Sequence, residues 1–183
     1  MCSLCCNGLV HINPYGTYAV QLGVDLYNSP PESAEELGRR CREGGLVVDT
    51  EPTDADLADT AVFLADWVTV VDADSDEARA NILNGLLASA SAYPRVTNHA
   101  DDGWHMHYRD PNIALGSVVR ALVAVGTALH LTGRGMSRLG RCAADDCDLV
   151  FADVSRTGRQ RYCGTVCSNR DAVRRHRART VLR

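Results

Sequence analysis

The sequence predicts an α+β protein, a mostly helical N-terminal domain with a β-hairpin followed by a small C-terminal module ending in a basic helix. Three observations carry this expectation. Apolar residues recur at helical spacing over much of residues 18–131. Between about residues 95 and 109 the period drops to two. Beyond residue 134, Cys142, Cys147, Cys163 and Cys167 fall in two close pairs, and an arginine-rich stretch without a helix breaker follows them.

Residues 11–17 read as a turn-containing loop, because Asn13-Pro14 and Gly16 interrupt any regular pattern. A helix then begins over 18–26. Pro30, Pro31, Glu32 and Ser33 form a helix entry and Gly44-Gly45 an exit, which places a short helix over Ala34–Glu43. Residues 46–49 are expected as a brief strand. Thr53 reads as an N-cap with early acids at Asp54 and Asp56, opening a helix to about residue 71 whose apolar stripe is Leu57, Ala61, Leu64 and Val68. Ser75 caps the next helix, to about residue 90.

Trp104, Met106 and Tyr108 alternate with His105 and His107, and Asp101-Asp102-Gly103 is a good turn, so residues 95–109 are expected as a hairpin with one apolar face. Pro111 opens a long apolar helix over about 112–131, ended by Gly133, with Val118, Leu122, Val125 and Leu129 as its buried stripe. Residues 133–135 are expected to form a flexible joint between a body, 1–133, and a module, 134–183. There is no internal repeat.

Charge divides along the same line. Residues 1–133 hold 7 Arg against 18 Asp and Glu, a net −11, whereas residues 134–183 hold 12 Arg against 5 Asp, a net +7. An acidic body is not drawn to phosphates, but the basic segment is suited to an anionic partner. No run of about 18 apolar residues exists and the N-terminus lacks the pattern of a secretory signal, so the chain is expected to be cytoplasmic and without a membrane partner.

In that setting eight cysteines with paired spacings favour metal ligation over disulfides. Cys142 and Cys147 are spaced C-x4-C, Cys163 and Cys167 C-x3-C, with fifteen residues between the pairs. Tetrahedral Zn2+ is well satisfied by thiolates offered in such pairs, each on a short turn, with a connector long enough to fold back. One structural zinc is therefore expected, with Val150 and Phe151 packed behind it. Cys2, Cys5 and Cys6 form a C-x2-C-C cluster at the chain end, where a loose terminus is the plainer reading; Cys41 reads as a core thiol.

The residues Cys142, Cys147, Phe151, Asp153, Ser155, Arg161, Tyr162, Cys163, Cys167, Asn169 and Arg170 make this segment resemble the CGNR zinc finger family. Ser168 stands where the family name specifies Gly, Tyr162 where Trp is common, and the second cysteine pair is one residue shorter than in many members. The body resembles more loosely the ABATE domain that usually precedes this finger. The resemblance implies a bacterial transcription regulator, often called stress-induced, with a sensor-like N-terminal domain.

On a helix from Asn169, Arg170, Arg174 and Arg177 share one face, with Arg175 and Arg179 beside them. Such an element fits a major groove and offers paired donors to guanine or phosphate. Arg156, Arg159 and Arg161 add backbone contacts. Ser168 is expected to N-cap the helix, and Arg170 either meets phosphate or braces the finger. The expected function is zinc-dependent DNA binding in transcriptional regulation. The alternative is a zinc ribbon that docks on protein or RNA.

Enzymatic activity is not expected. His99, His105 and His107 with Asp101 and Asp102 suggest a metal centre at first sight, but no adjacent nucleophile or carboxylate pair completes a mechanism. The body is a candidate for binding a small effector near Trp104, His105, His107 and Tyr108, with Tyr15 on a lid. A homodimer would help a single finger reach useful specificity, and with no coiled coil in the sequence the body would have to supply the interface.

Overall fold

The computed structural model describes residues 16–48, 50–98 and 104–181. The cluster of Cys2, Cys5 and Cys6, most of the loop 11–17 with Tyr15, His99 and the turn 101–103 lie outside the described residues. The elements run α1 Thr17–Asn28, α2 Ala34–Glu43, α3 Asp54–Asp72, α4 Asp76–Ala90, β1 Arg95–Thr97, β2 His105–His107, α5 Leu115–Arg134, a 3-10 turn Met136–Arg138, β3 Leu139–Arg141, β4 Val150–Ala152 and α6 Thr165–Val181. The architecture is thus α+β, with a helical body, two short antiparallel hairpins and a terminal helix.

The starts of α2, α3 and α4 follow side-chain caps. The Ser33 hydroxyl accepts from Glu36 N–H, and the Ser75 hydroxyl accepts from Ala78 N–H. Thr53 and Asp56 form a capping box, which turns Asp56 inward. Its second oxygen then accepts from Gly116 N–H at 2.7 Å, so one carboxylate caps both α3 and α5. Burial opposes the charge on Asp56, but the hydrogen bonds from Gly116 and Thr53 outweigh it and hold the carboxyl below its usual range.

Because Asp56 faces inward, the buried stripe of α3 is rotated by about one residue from the expected one. It comprises Thr60, Phe63, Leu64, Trp67, Val70 and Val71, whereas Ala61 is exposed and Leu57 and Val68 are half-buried. Trp67 occupies the centre and donates from Nε1 to the Thr127 hydroxyl at 2.9 Å. Residues 46–48 form no strand. Gly45, at φ 86°, ends α2 with Gly45 N–H bonded to Arg42 O and Leu46 N–H to Cys41 O, which closes the helix and spends the backbone groups a strand would need.

α5 is the central helix, as expected, but it begins at Leu115 because Asn112 sits in the left-handed region at φ 56°. It packs against α1, α3 and α4, so burial extends around it to Leu115, Val119, Val123, Ala124, Thr127, His130 and Leu131, while Leu122, Val125 and Leu129 are only half-buried. Its length and composition would allow a membrane span, yet most of it lies in this core. Gly126 meets α1 so closely that a Cβ there would lie 2.2 Å from Ala19 Cβ.

Among the described residues, the β1–β2 hairpin contributes nothing to this core. It pairs Arg95 with His107, Val96 with Met106 and Thr97 with His105, but its apolar face is open to solvent rather than packed inward: Val96, Trp104 and Met106 are exposed. The joint expected at 133–135 is also different. Gly133 lies within α5, and after the turn at Gly135 the chain folds straight back as β3 and β4 onto the body. Leu139, Val150 and Ala152 belong to the same core as Val20, Leu26, Trp67 and Val123.

Amide and ionic contacts fix that hairpin. The Asn28 side chain accepts from Val150 N–H and donates to Val150 O, each at 2.9 Å, replacing the strand partner that β4 lacks on this edge. Gln21 donates to Ala152 O. On the other strand Arg141 grips Asp72 through two bonds of 2.6 and 2.7 Å and donates to Asp148 O.

Two stability measurements check this account. Asn28→Ala leaves both Val150 backbone groups without that partner, and urea unfolding is expected to show a loss of about 1–3 kcal/mol. Asp56→Ala is expected to cost about 1–3 kcal/mol by the same assay at neutral pH. Its folded pKa is below the unfolded 3.8, so the Asp56 contribution is full above that value and disappears as pH falls through the folded pKa. The gap between parent and variant should therefore close in acid.

Candidate metal centre and basic helix

The four cysteines are brought together by backbone pairing. Cys142 follows β3 and its N–H extends the ladder to Leu149 O at 2.8 Å. Cys147 closes a turn by donating to Ala144 O, and Ala143 N–H bonds Arg161 O at 2.7 Å, which lays the second cysteine segment beside the first. Cys167 lies in the first turn of α6, so one helical turn sets it over Cys163 and accounts for the short C-x3-C spacing.

The four sulfurs lie within 4.8 Å of one another, with Cys147 and Cys163 Sγ 3.7 Å apart and Cys163 and Cys167 Sγ 3.6 Å apart. A tetrahedron with Zn–S bonds of about 2.3 Å has edges of about 3.8 Å. The separations fit that ion. Cys142 and Cys167 are buried, and Ala144 and Tyr162 pack against the cluster.

Electrostatics point the same way. Burial opposes ionisation of Cys142, but the backbone N–H groups of Ala144 and Cys163 and the neighbouring thiols outweigh it and lower its pKa. Burial and the surrounding sulfurs push Cys163 far up. A divalent ion among the four sulfurs would favour their thiolate forms.

A second device shapes the loop between the pairs. Asp153 is buried and accepts from Ser155 N–H at 2.8 Å and Gln160 N–H at 3.1 Å, with Arg138 3.5 Å away. Burial would raise its pKa, but the bonds from Ser155 and Gln160 and the Arg138 charge hold it low. Arg138 also donates to Ser155 O at 2.7 Å, while its own carbonyl accepts from Asp153 N–H and lies 3.1 Å from His130 Nε2. Sequence reading found Asp153 and Ser155 through their motif but missed Arg138 and His130, which lie on neighbouring elements with no spacing signal of their own.

The expected cap is corrected. α6 starts at Thr165, so Ser168 lies inside its first turn, its N–H bonded to Gly164 O. The arginines fall into two groups. Arg170 sits 2.8 Å from Asp146 and 3.5 Å from Cys167 Sγ, Arg174 pairs with Asp145 and Asp171, and Arg175 lies 2.9 Å from Asp171. Asp171 is buried and also accepts from the Tyr162 hydroxyl at 2.5 Å. Arg156, Arg159, Arg161, Arg177 and Arg179 are exposed, and among the described residues no carboxylate pairs with them. Asp145 and Asp146 were also missed, though acids inside a basic segment are a usable signal.

Of the suggested effector residues, those described form no closed site. Trp104 is 76% exposed and Tyr108 and His107 are half-buried, while Tyr15 and the side chain of His105 lie outside the described residues. Cys41 is a fully buried thiol whose pKa burial raises to about 11.

Comparison with known proteins agrees with the metal centre. Residues 138–180 match the family model described as CGNR zinc finger. A search among curated proteins found no match. The segment is thus a CGNR zinc finger with four cysteines placed to bind one metal ion. Cys163→Ser is expected to abolish stoichiometric zinc uptake and to lower helical ellipticity as α6 loses its anchor, since a structural zinc site contributes on the order of 10 kcal/mol to folding. Metal analysis and circular dichroism of parent and variant check this.

Proposed function

We propose that this protein is a zinc-dependent, sequence-specific DNA-binding regulator of transcription, without a catalytic activity of its own. The observation that carries the reading is the exposed arginine set around the metal centre: Arg156, Arg159 and Arg161 on the loop and Arg177 and Arg179 on the outer turns of α6, all without a carboxylate partner among the described residues. The knuckle fixes the start of α6, so the helix is presented as a rigid rod with its arginines at defined heights. A rod of that kind suits the major groove, and the loop suits the flanking phosphates.

The body contributes by position. It holds the finger through Asn28 and Arg141, so a small effector or a second copy bound to the body would act on a finger already oriented. A homodimer would supply the two half-sites that one helix cannot. A second reading has its own support: Val166 and Val173, 76% and 49% exposed and seven residues apart, share one face of α6 and suit docking on protein.

Salt titration separates the two. If five arginines neutralise phosphates, log K against log salt should have a slope of roughly −4 to −5 on duplex DNA. Arg177→Ala/Arg179→Ala should weaken binding and flatten the slope by about two. Fluorescence anisotropy of the zinc-loaded chain on pooled genomic fragments, with a chelated control, reads both. Absent or chelation-indifferent binding sinks the DNA reading and favours the protein-docking one.

A further inference from the structure

Asp145 and Asp146 occupy the turn between the first two metal-binding cysteines, where Cys147 N–H returns to Ala144 O. Their carboxylates reach across to α6. Asp146 Oδ1 lies 2.8 Å from Arg170 Nη2, and Asp145 Oδ2 pairs with Arg174 Nη1, whose other nitrogen is held 2.6 Å from Asp171. Arg170 also lies 3.5 Å from Cys167 Sγ, and Arg174 follows it one helical turn on. A carboxylate set against a guanidinium fills the same donors that a phosphate oxygen would take. Both pairs are open to water, at 47–69% exposure, so an incoming phosphate can reach them.

We propose that Asp145 and Asp146 are a built-in competitor for nucleic-acid phosphate at Arg170 and Arg174. The proposal rests on the DNA-binding reading and names the part of α6 withheld from indiscriminate backbone contact. Generic duplex meets only the outer arginines and the loop. A cognate site whose shape brings phosphate against the inner turn displaces the carboxylates, so two strong positive positions serve discrimination instead of bulk affinity.

The test uses the full zinc-loaded chain, a labelled duplex of random sequence and anisotropy across a salt series. Asp145→Asn/Asp146→Asn is expected to bind this duplex roughly tenfold more tightly at low salt, with a slope steeper by about one to two. A control variant of equal charge change, Glu35→Gln/Asp66→Asn on the exposed body surface, is expected to stay near the parent. An unchanged slope and affinity in the first variant, with zinc content intact, overturns the proposal; so does a control that rises equally. Should the double variant lose metal, the single variants are expected to give about one slope step each, and loss of metal in those too would assign the carboxylates to holding the turn instead. If the parent binds no duplex at all, the DNA reading itself fails, which is distinct from a parent that binds and a variant that matches it.

Discussion

The strand Val150–Ala152 serves two structures at once. On one side it completes the core of the body, with Val150 fully buried and its backbone held by the amide of Asn28. On the other it returns from the turn that carries Cys147, one strand away from Cys142. Burying Val150 and Leu139 is worth on the order of 1.5–3 kcal/mol each, and an edge backbone without its partner would cost a comparable amount. The metal centre is therefore seated on the helices by ordinary hydrophobic packing, and its orientation follows from α1 and α3 rather than from the ion.

Charge is arranged with the same economy. Along the sequence acids and arginines separate into two blocks, yet the folded molecule places selected pairs across the boundary and within the basic block. Arg141 reaches back to Asp72 at the end of α3, Arg138 and Asp153 organise the loop, and Asp171 gathers Tyr162, Arg174 and Arg175. Among the described residues, Arg156, Arg159, Arg161, Arg177 and Arg179 are exposed and have no carboxylate partner. Net charge alone would have credited the whole segment with affinity for anions; the pairing pattern narrows that to particular side chains.

Much of this was legible in the chain. Caps at Ser33, Thr53 and Ser75 mark their helices because a side-chain oxygen and three residues of spacing are a local device. The cysteine pairs announce the metal centre for the same reason. Legibility fails where a partner far along the chain decides. The stripe of α3 turned because Asp56 answers Gly116, sixty residues away. The β1–β2 hairpin shows period-two alternation, but that period does not say whether its apolar face is covered, and Val96, Trp104 and Met106 are exposed. The glycines near 133–135 suggested a joint, since nothing local reveals that Leu139, Val150 and Ala152 return to the helices. The arginines of α6 lie at readable positions, but their engagement by Asp145 and Asp146 is tertiary.

The shared strand has a practical consequence for dissecting the molecule. The compositional border near residue 133 is not where the chain can be cut: a fragment ending there would expose the seam that Leu139, Val150 and Ala152 cover and would strand the Asn28 amide. The complementary fragment would keep its thiols but lose the floor beneath its hairpin. Residues 139–152 thus belong with the helices in one core, even though they also carry the first two ligands.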